Sequence, residues 1–203
     1  PLVIPPLRDR PDDIARLVRH FVAELGPSCG RGAMTIDEGA VTAGYTADRA
    51  AVLQMLNDSL ATELVCVLRY RRHHFMVRGI HSQSVAQEFL AHSNEELGHA
   101  DQLADRIVQL GGEPDLAPDG LAGRSHAEYV QGGTLTAMIR ENLVAERIAI
   151  DSYREFIRYL GDRDPTTRRM LEGILAVEEE HADELSDLLV ALPDESRGRE
   201  HSN

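Results

Sequence analysis

The chain carries one eight-residue pattern, Glu-x-x-His-Ala-Asp-x-Leu, twice, at residues 96–103 and 178–185. On a helix, residues three apart lie on one face, so each copy presents a carboxylate and an imidazole together. The pairs are Glu96 with His99 and Glu178 with His181. Each pair is one half of a candidate dinuclear metal site, because facing helices can supply the further oxygen ligands that such a site needs.

Each copy of the pattern has a glutamate and a tyrosine upstream at matching distances. Glu63 precedes the first copy by almost the same interval as Glu146 precedes the second. Tyr70 and Tyr153 each follow their glutamate by two helical turns and therefore lie on the glutamate's face. The chain thus contains a duplicated helix pair. The candidate metal ligands are Glu63, Glu96, His99, Glu146, Glu178 and His181.

The alternative to a metal site is a buried network of glutamate and histidine with no metal. Four clustered carboxylates would repel one another in a protein core, and a metal ion would neutralise that charge. Carboxylate and imidazole ligands without a thiolate favour iron or manganese over structural zinc. We therefore expect two metal ions, iron first and manganese as the alternative.

Several other polar residues receive a weaker interpretation. Tyr70 and Tyr153 either donate hydrogen bonds to the ligand carboxylates or are core tyrosines with hydroxyl partners elsewhere. Cys66 is interpreted as a small buried thiol. Five histidines are expected at the surface or at helix ends: His73, His74, His81, His92 and His126.

Composition restricts the class of protein. The 203 residues, 42% hydrophobic and 27% charged, are enough for one domain with a sizeable core. The formal charge of −13 argues against nucleic acid as a partner. No apolar run approaches the ~18 residues of a membrane helix, and no leader pattern is present, so we expect no membrane association and a cytoplasmic location. The two cysteines agree with a reducing compartment.

Helical periodicity and capping signals predict four long helices. Helix A follows a cap at Asp48 and ends near residue 77; helix B begins at Ser82 or Ser84 and ends at 111–112. Helix C covers about 134–160, and helix D follows Asp164 and Pro165 to about 192. A connector of about twenty residues separates B from C, which is long for a compact domain. Short, long and short connections predict an all-α four-helix bundle with a long B–C crossover.

Three segments are expected from this pattern. Residues 1–33 form an N-terminal extension and linker, with a short helix over 12–25. Residues 34–193 form the four-helix bundle, and residues 194–203 form a polar tail. The sequence of residues 1–25 weakly resembles part of the ATPase domain of activators of the alternative sigma factor, but it has no Walker motif.

Over about residues 36–190 the chain resembles the bacterioferritin-like branch of the ferritin-like di-iron superfamily. The resemblance is carried by the runs at 60–65, 94–101 and 110–114. It implies a ferroxidase centre formed by the six ligands, with Glu96 and Glu146 bridging the two metals. It also implies oxidation of Fe(II) by oxygen or peroxide, and assembly into shells that store the ferric mineral.

Two departures from that family change the expectation. Bacterioferritins bind haem through a methionine that follows the helix-B glutamate, and this chain has Leu97 there, so we expect no haem. The 33-residue opening is not matched either, and an extended N-terminus can prevent a large shell. We therefore expect a homo-oligomer of unspecified size.

The leading function is a ferroxidase for iron detoxification and storage. One alternative is a stand-alone di-iron or di-manganese oxidase or peroxidase without mineral storage, although the Cys-x-x-Cys iron site of rubrerythrin-type peroxidases is missing. Another is a DNA-shielding mini-ferritin, whose iron ligands lie between subunits. A third is a cargo or interaction protein that uses the N-terminal segment.

Overall fold

The structure is a computed structural model that describes residues 13, 16–18, 20, 21, 24, 41, 42, 44–78 and 82–192. The chain divides into two compact units, residues 1–45 with 109–111 and residues 46–108 with 112–203. The described residues of the expected 12–25 helix are helical. The expected domain limits at 34 and 193, the tail 194–203 and the N-terminal resemblance fall largely or wholly outside the described residues.

The larger unit contains four long helices and one short helix. They are α1 (Arg49–Met76), α2 (Ser82–Gln109), α3 (Pro118–Arg124), α4 (Leu135–Leu160) and α5 (Pro165–Ala191). The described residues form no strand. The expected all-α four-helix bundle is confirmed, and α3 is the one element of this unit that the sequence pattern did not predict.

Local side-chain caps start three of the long helices. Asp48 accepts a hydrogen bond from the Ala51 amide at the start of α1, and Thr134 caps α4 in the same way. Asp164 caps α5 and also accepts a hydrogen bond from the buried Arg106 of α2 at 3.0 Å. Each cap satisfies an amide that the first helical turn leaves without a partner.

Contacts between helices give their directions. Ser93 of α2 bonds to the Val67 carbonyl of α1, and His74, later in α1, contacts the Ala86 carbonyl, earlier in α2. Tyr70 and Tyr153 show the same reversed order between α1 and α4. Both α2 and α4 are therefore antiparallel to α1 and parallel to each other, so the connection between them must travel the length of the bundle.

The connector is hydrogen-bonded along α1. Its successive residues contact successive turns of that helix through Asp115 to Asn57, His126 to Thr62, Glu128 to Arg69 and Gln131 to His73. Gly132 permits the last bend with φ of 60°, where an added Cβ would lie 2.8 Å from the Met138 side chain. The expected long crossover is confirmed, and it is hydrogen-bonded to α1 along its length.

One of the long helices, α1, has the length and apolar composition that a membrane crossing requires. Half of its most apolar window is buried inside the protein. Its buried face also carries Glu63, Arg69 and His73. These are the properties of a helix packed inside a bundle.

A polar layer lies between two apolar layers of the bundle. One apolar cluster surrounds the C-terminal part of α1 and includes Tyr70, Phe89, Ile139 and Leu185. Buried apolar residues nearer the other helix ends include Leu56, Leu60, Ile107, Leu160 and Leu171. The long helices hold glutamate and histidine side chains between these layers, away from solvent.

Candidate metal centre

All six ligands proposed from the sequence lie together in the polar layer. Glu63 comes from α1, Glu146 from α4, and the two Glu-x-x-His pairs come from α2 and α5. Each of the six residues is at most 5% exposed. The i, i+3 spacing places each histidine beside its own glutamate, as helix geometry requires. His99 Nδ1 lies 3.4 Å from Glu96 Oε2 and 2.9 Å from Glu178 Oε1.

The ligand atoms form two overlapping groups, and in each group they lie within 4.8 Å of one another. The first group is Glu63, Glu96, His99 and Glu178; the second is Glu96, Glu146, Glu178 and His181. The two groups share Glu96 and Glu178. The expected bridging pair was Glu96 and Glu146, and here Glu146 contributes a donor atom to the second group only.

The centre contains buried polar atoms that a metal ion would satisfy. In the part of the chain that the structure describes, several ligand atoms have no hydrogen-bond partner: Glu63 Oε2, Glu96 Oε1, Glu146 Oε2, Glu178 Oε2 and His181 Nδ1. Such atoms are costly in a protein interior. Four carboxylates and two imidazoles are also the ligand set of dinuclear carboxylate sites in four-helix bundles. The residues present therefore fit a pair of metal ions.

Tyrosine hydroxyls fix two of the carboxylates from the opposite helix. Tyr70 of α1 donates to Glu146 of α4, and Tyr153 of α4 donates to Glu63 of α1. Both tyrosine side chains are buried. Each hydroxyl occupies one oxygen of its carboxylate and leaves the other oxygen directed to the centre. This arrangement orients a ligand before any metal binds.

Glu95 was not found from the sequence, and it orients His181. Its Oε2 lies 2.7 Å from His181 Nε2, while His181 Nδ1 lies 3.6 Å from Glu96 Oε1. A carboxylate on the outer nitrogen of a ligand histidine fixes the ring and its tautomer. The duplicated pattern could not reveal Glu95, because the equivalent position before Glu178 is Val177.

The four glutamates of the centre have shifted pKa values because they are buried close together. Burial, and then the Glu96 charge, raise the pKa of Glu63, Glu178 and Glu146 above the usual glutamate value. Burial acts in the same direction on Glu96, but its close polar contacts with Glu63, His181 and His99 outweigh burial and lower the pKa of Glu96. In the metal-free centre these shifts favour the ionised form of Glu96 and the protonated forms of the other three carboxyl groups.

The two histidines are the positive partners of that charge. Burial lowers the pKa of each imidazole, but contacts with the carboxylates raise the pKa of His99 to about 10 and of His181 to about 9. Burial, and then the neighbouring glutamates, raise the pKa of Tyr70 and Tyr153 well above the usual value. The tyrosines therefore remain hydrogen-bond donors, and metal ions that bind here must displace protons from glutamate and histidine.

The remaining sequence predictions had mixed outcomes. Cys66 is a buried free thiol, as expected, and contacts the buried Arg69. His126 is exposed, and the buried His73 lies in the last turn of α1, so both fit the expected surface or helix-end positions. His92 is buried within α2, so its expected position was wrong. Each buried ring is held by a partner outside its own helix turn: His73 by the Gln131 carbonyl and His92 by Glu184. His81 lies outside the described residues.

Comparison with known proteins agrees with the helical bundle. A sequence model of the ferritin-like domain matches residues 53–194. The chain is 28% identical to a bacterioferritin from Desulfovibrio desulfuricans, over 68% of this chain and 75% of that protein. It is 31% identical to a nutrient stress-induced DNA-binding protein from Synechococcus, over 71% and 84%. The chain belongs to the ferritin-like di-iron superfamily.

Its place within that superfamily is the bacterioferritin-like branch. A solved structure of the bacterioferritin-related protein of Bacteroides fragilis, described as a dodecameric thioferritin, superposes with a TM-score of 0.69. That protein is 32% identical, and the match covers 71% of this chain and 87% of the other. The chain is accordingly a ferritin-like protein of the iron storage and detoxification class.

Proposed function

We propose that this protein is a ferroxidase that binds two Fe(II) ions as substrate and oxidises them with oxygen or peroxide. One observation carries the proposal: two overlapping groups of buried donor atoms share Glu96 and Glu178. Two metal ions held by shared carboxylates lie close enough to act on one oxidant molecule. The proposed ligands are the six residues named above, and Tyr70 and Tyr153 orient two of them.

In this proposal the protein's residues bind the metal ions, hold the ligand carboxylates in position and exclude water. Burial of the ligands keeps bulk water from the centre, and the crossed tyrosines hold Glu146 and Glu63 in place. Two Fe(II) ions would each give up one electron, so that a pair reduces oxygen to peroxide or peroxide to water. Protons displaced from the carboxyl and imidazole groups leave as the metal binds.

Iron is the proposed metal, with manganese as the alternative that the same donor atoms support. A stand-alone di-iron or di-manganese oxidase without mineral storage remains the alternative function, since it would use the same centre. The two functions differ in what happens after oxidation. A storage protein accumulates ferric mineral inside an assembly, whereas an oxidase releases its product.

A homo-oligomer is proposed from the relatives and from the surface of the bundle. The related protein from Bacteroides fragilis is dodecameric. Leu68 and Phe75 lie two turns apart on one face of α1 and are 55% and 66% exposed, and Leu97 of α2 is 42% exposed. Large apolar side chains in such positions are commonly covered by another subunit. We further propose a cytoplasmic location, with no haem, membrane or nucleic acid as partner.

The proposed function is tested by anaerobic titration of metal-free protein with Fe(II), followed by addition of oxygen or peroxide. We expect rapid oxidation of two Fe(II) ions per chain, faster than in the Glu178→Ala variant. Glu179→Gln is the matched control, because Glu179 is an exposed glutamate of the same helix outside both donor groups. Equal rates in Glu178→Ala and the wild type would refute the proposal.

Storage is tested on protein loaded with iron in air. Light scattering after size exclusion gives the assembly mass, and iron analysis gives the number of ions per particle. Hundreds of iron ions per particle would support mineral storage. Two ions per chain in a small assembly would support the stand-alone oxidase.

A further inference from the structure

A third cluster of ligand-type side chains lies outside the dinuclear centre. Glu88 and His92 are one helical turn apart on α2, and Glu184 faces them from α5. His92 Nε2 lies 2.8 Å from Glu184 Oε2 and 3.6 Å from Glu88 Oε1. One donor atom from each residue lies within 4.8 Å of the other two. One imidazole and two carboxylates are ligands for Fe(II) or Mn(II).

The cluster has a buried base and an open side. His92 is 1% exposed, and its ring stacks on the His181 ring with centroids 4.0 Å apart. Its Nδ1 has no hydrogen-bond partner among the described residues. The Glu88 and Glu184 side chains are 39% and 44% exposed. An ion from solvent could therefore reach this cluster without rearrangement of the bundle.

A cavity joins the cluster to the dinuclear centre. It has a volume of about 540 Å³ and is lined by the three cluster residues together with Glu95, His99 and His181. The residues that line it include four glutamates and neither lysine nor arginine. Such a lining concentrates cations. Burial raises the pKa of Glu88. The His92 charge lowers this pKa and the Glu184 charge raises it, as repulsion between two carboxylates predicts.

The duplicated sequence shows that the cluster belongs to one end of the centre only. The positions equivalent to Glu88 and His92 in the second repeat are Met170 and Ile174. The position equivalent to Glu184 in the first repeat is Gln102. The six central ligands are repeated and this cluster is not. The repeat that accounts for the six central ligands therefore does not account for this cluster.

We propose that Glu88, His92 and Glu184 form a third cation site, which binds one Fe(II) ion and passes it through the cavity to the dinuclear centre. The choice of Fe(II) rests on the proposed function, whereas the proposal that the cluster binds a cation rests on its geometry alone. The passing step is a ligand exchange without change of oxidation state. Glu95 lines the same cavity and contacts His181, a proposed ligand of the centre, so it offers a further donor group beside the centre.

The experiment uses Mn(II) as the probe, with full-length protein under anaerobic conditions. Crystals soaked in Mn(II) are measured for anomalous scattering, and binding is counted in solution by equilibrium dialysis. We expect three ions per chain in the wild type, one of them between Glu88, His92 and Glu184. Glu184→Gln should lose that ion and retain the central pair. Glu180→Gln, which removes a carboxylate from the same cavity lining, should retain all three.

His92→Gln tests the buried member, and its thermal unfolding and circular dichroism show whether the bundle remains folded. Because Glu184 is half exposed, Glu184→Gln keeps the test decisive if His92→Gln does not fold. Two central ions without a third would overturn this inference and leave the proposed function intact. A third ion without central ions would instead overturn the proposed function. A third ion that lies outside the cluster and is unaffected by Glu184→Gln would show that Glu88, His92 and Glu184 form an ion pair only.

Discussion

Tyr70 of α1 donates a hydrogen bond to Glu146 of α4. Tyr153 returns the same contact from α4 to Glu63 of α1. The two bonds cross between the sequence repeats, so that each repeat orients a carboxylate of the other. Because both pairs are buried, loss of a hydroxyl would leave a carboxylate oxygen without its partner.

The first prediction follows from these bonds. Tyr70→Phe and Tyr153→Phe should each weaken metal binding by about 10- to 100-fold, the usual effect of removing a group that orients a ligand. Competition with a coloured chelator under anaerobic conditions measures the change. Tyr129→Phe is the control, because Tyr129 is 42% exposed in the connector. If both core variants bind Mn(II) like the control, the tyrosines pack in the core without orienting ligands.

The second prediction distinguishes a shared carboxylate from an unshared one. Glu146→Ala leaves the donor group of Glu63, Glu96, His99 and Glu178 complete, so we expect one central ion to remain. Glu178→Ala removes a ligand from both groups and should lower the affinity for both ions by at least about 10-fold. Mn(II) positions from anomalous scattering provide the measurement. Loss of both central ions in Glu146→Ala would restore Glu146 to the bridging role that the family resemblance implied.

The third prediction concerns pH in the absence of metal. The raised pKa values of Glu63 and Glu178, of His99 (about 10) and of His181 (about 9) mean that the folded state holds protons more tightly than the unfolded chain. The stability they contribute is complete below the ordinary pKa values, about 4.3 for glutamate and 6.5 for histidine. It is lost as the pH rises toward the folded values.

Glu96 acts in the opposite sense, but its lowered pKa matters only at acidic pH. We therefore expect the melting temperature of chelator-treated protein to fall between pH 6 and pH 9. Glu178→Gln should reduce this dependence, because the amide stays neutral at every pH. The melting temperature of metal-loaded protein should depend less on pH, since bound metal replaces the protons. A melting temperature that is flat or rises over this range in the metal-free wild type would contradict the assignment.

The fourth prediction is the absence of haem binding. Leu97 follows Glu96 and is 42% exposed, and an aliphatic side chain cannot ligate iron. Purified protein supplied with haem should lack the absorption bands of iron bound by two methionines. Leu97→Met is the comparison variant, because it restores a thioether at the same exposed position. Stoichiometric haem in the wild type would show that another residue ligates it.

The fifth prediction concerns DNA, which a relative from Synechococcus is named for binding. The formal charge of −13 opposes contact with a phosphate backbone, and binding of that kind depends on released counterions. Gel retardation with duplex DNA at low and physiological salt is the measurement. We expect no shift at either salt concentration. A retarded band at physiological salt would place nucleic acid among the partners.

Sequence reasoning predicted the parts of this molecule that are local or repeated. The caps at Asp48 and Asp164 act within one helical turn, and the six candidate ligands occur in a duplicated spacing. It missed Glu95 and misplaced His92, because each acts on a residue of α5 more than eighty positions away. It also could not show which glutamates are shared, since Glu146 and Glu178 differ only in how the packed helices direct them.

The crossed contacts also bear on the ancestry of the chain. Each sequence repeat is a helical hairpin with one tyrosine, one single glutamate and one Glu-x-x-His pair, yet neither Tyr–Glu contact forms within a repeat. Both donor groups likewise take a carboxylate from the other repeat. A hairpin that existed before the duplication could have completed this centre only by pairing with an identical copy. The two repeats are therefore related as the two halves of a symmetric dimer would be, and they differ at Glu95 and Val177.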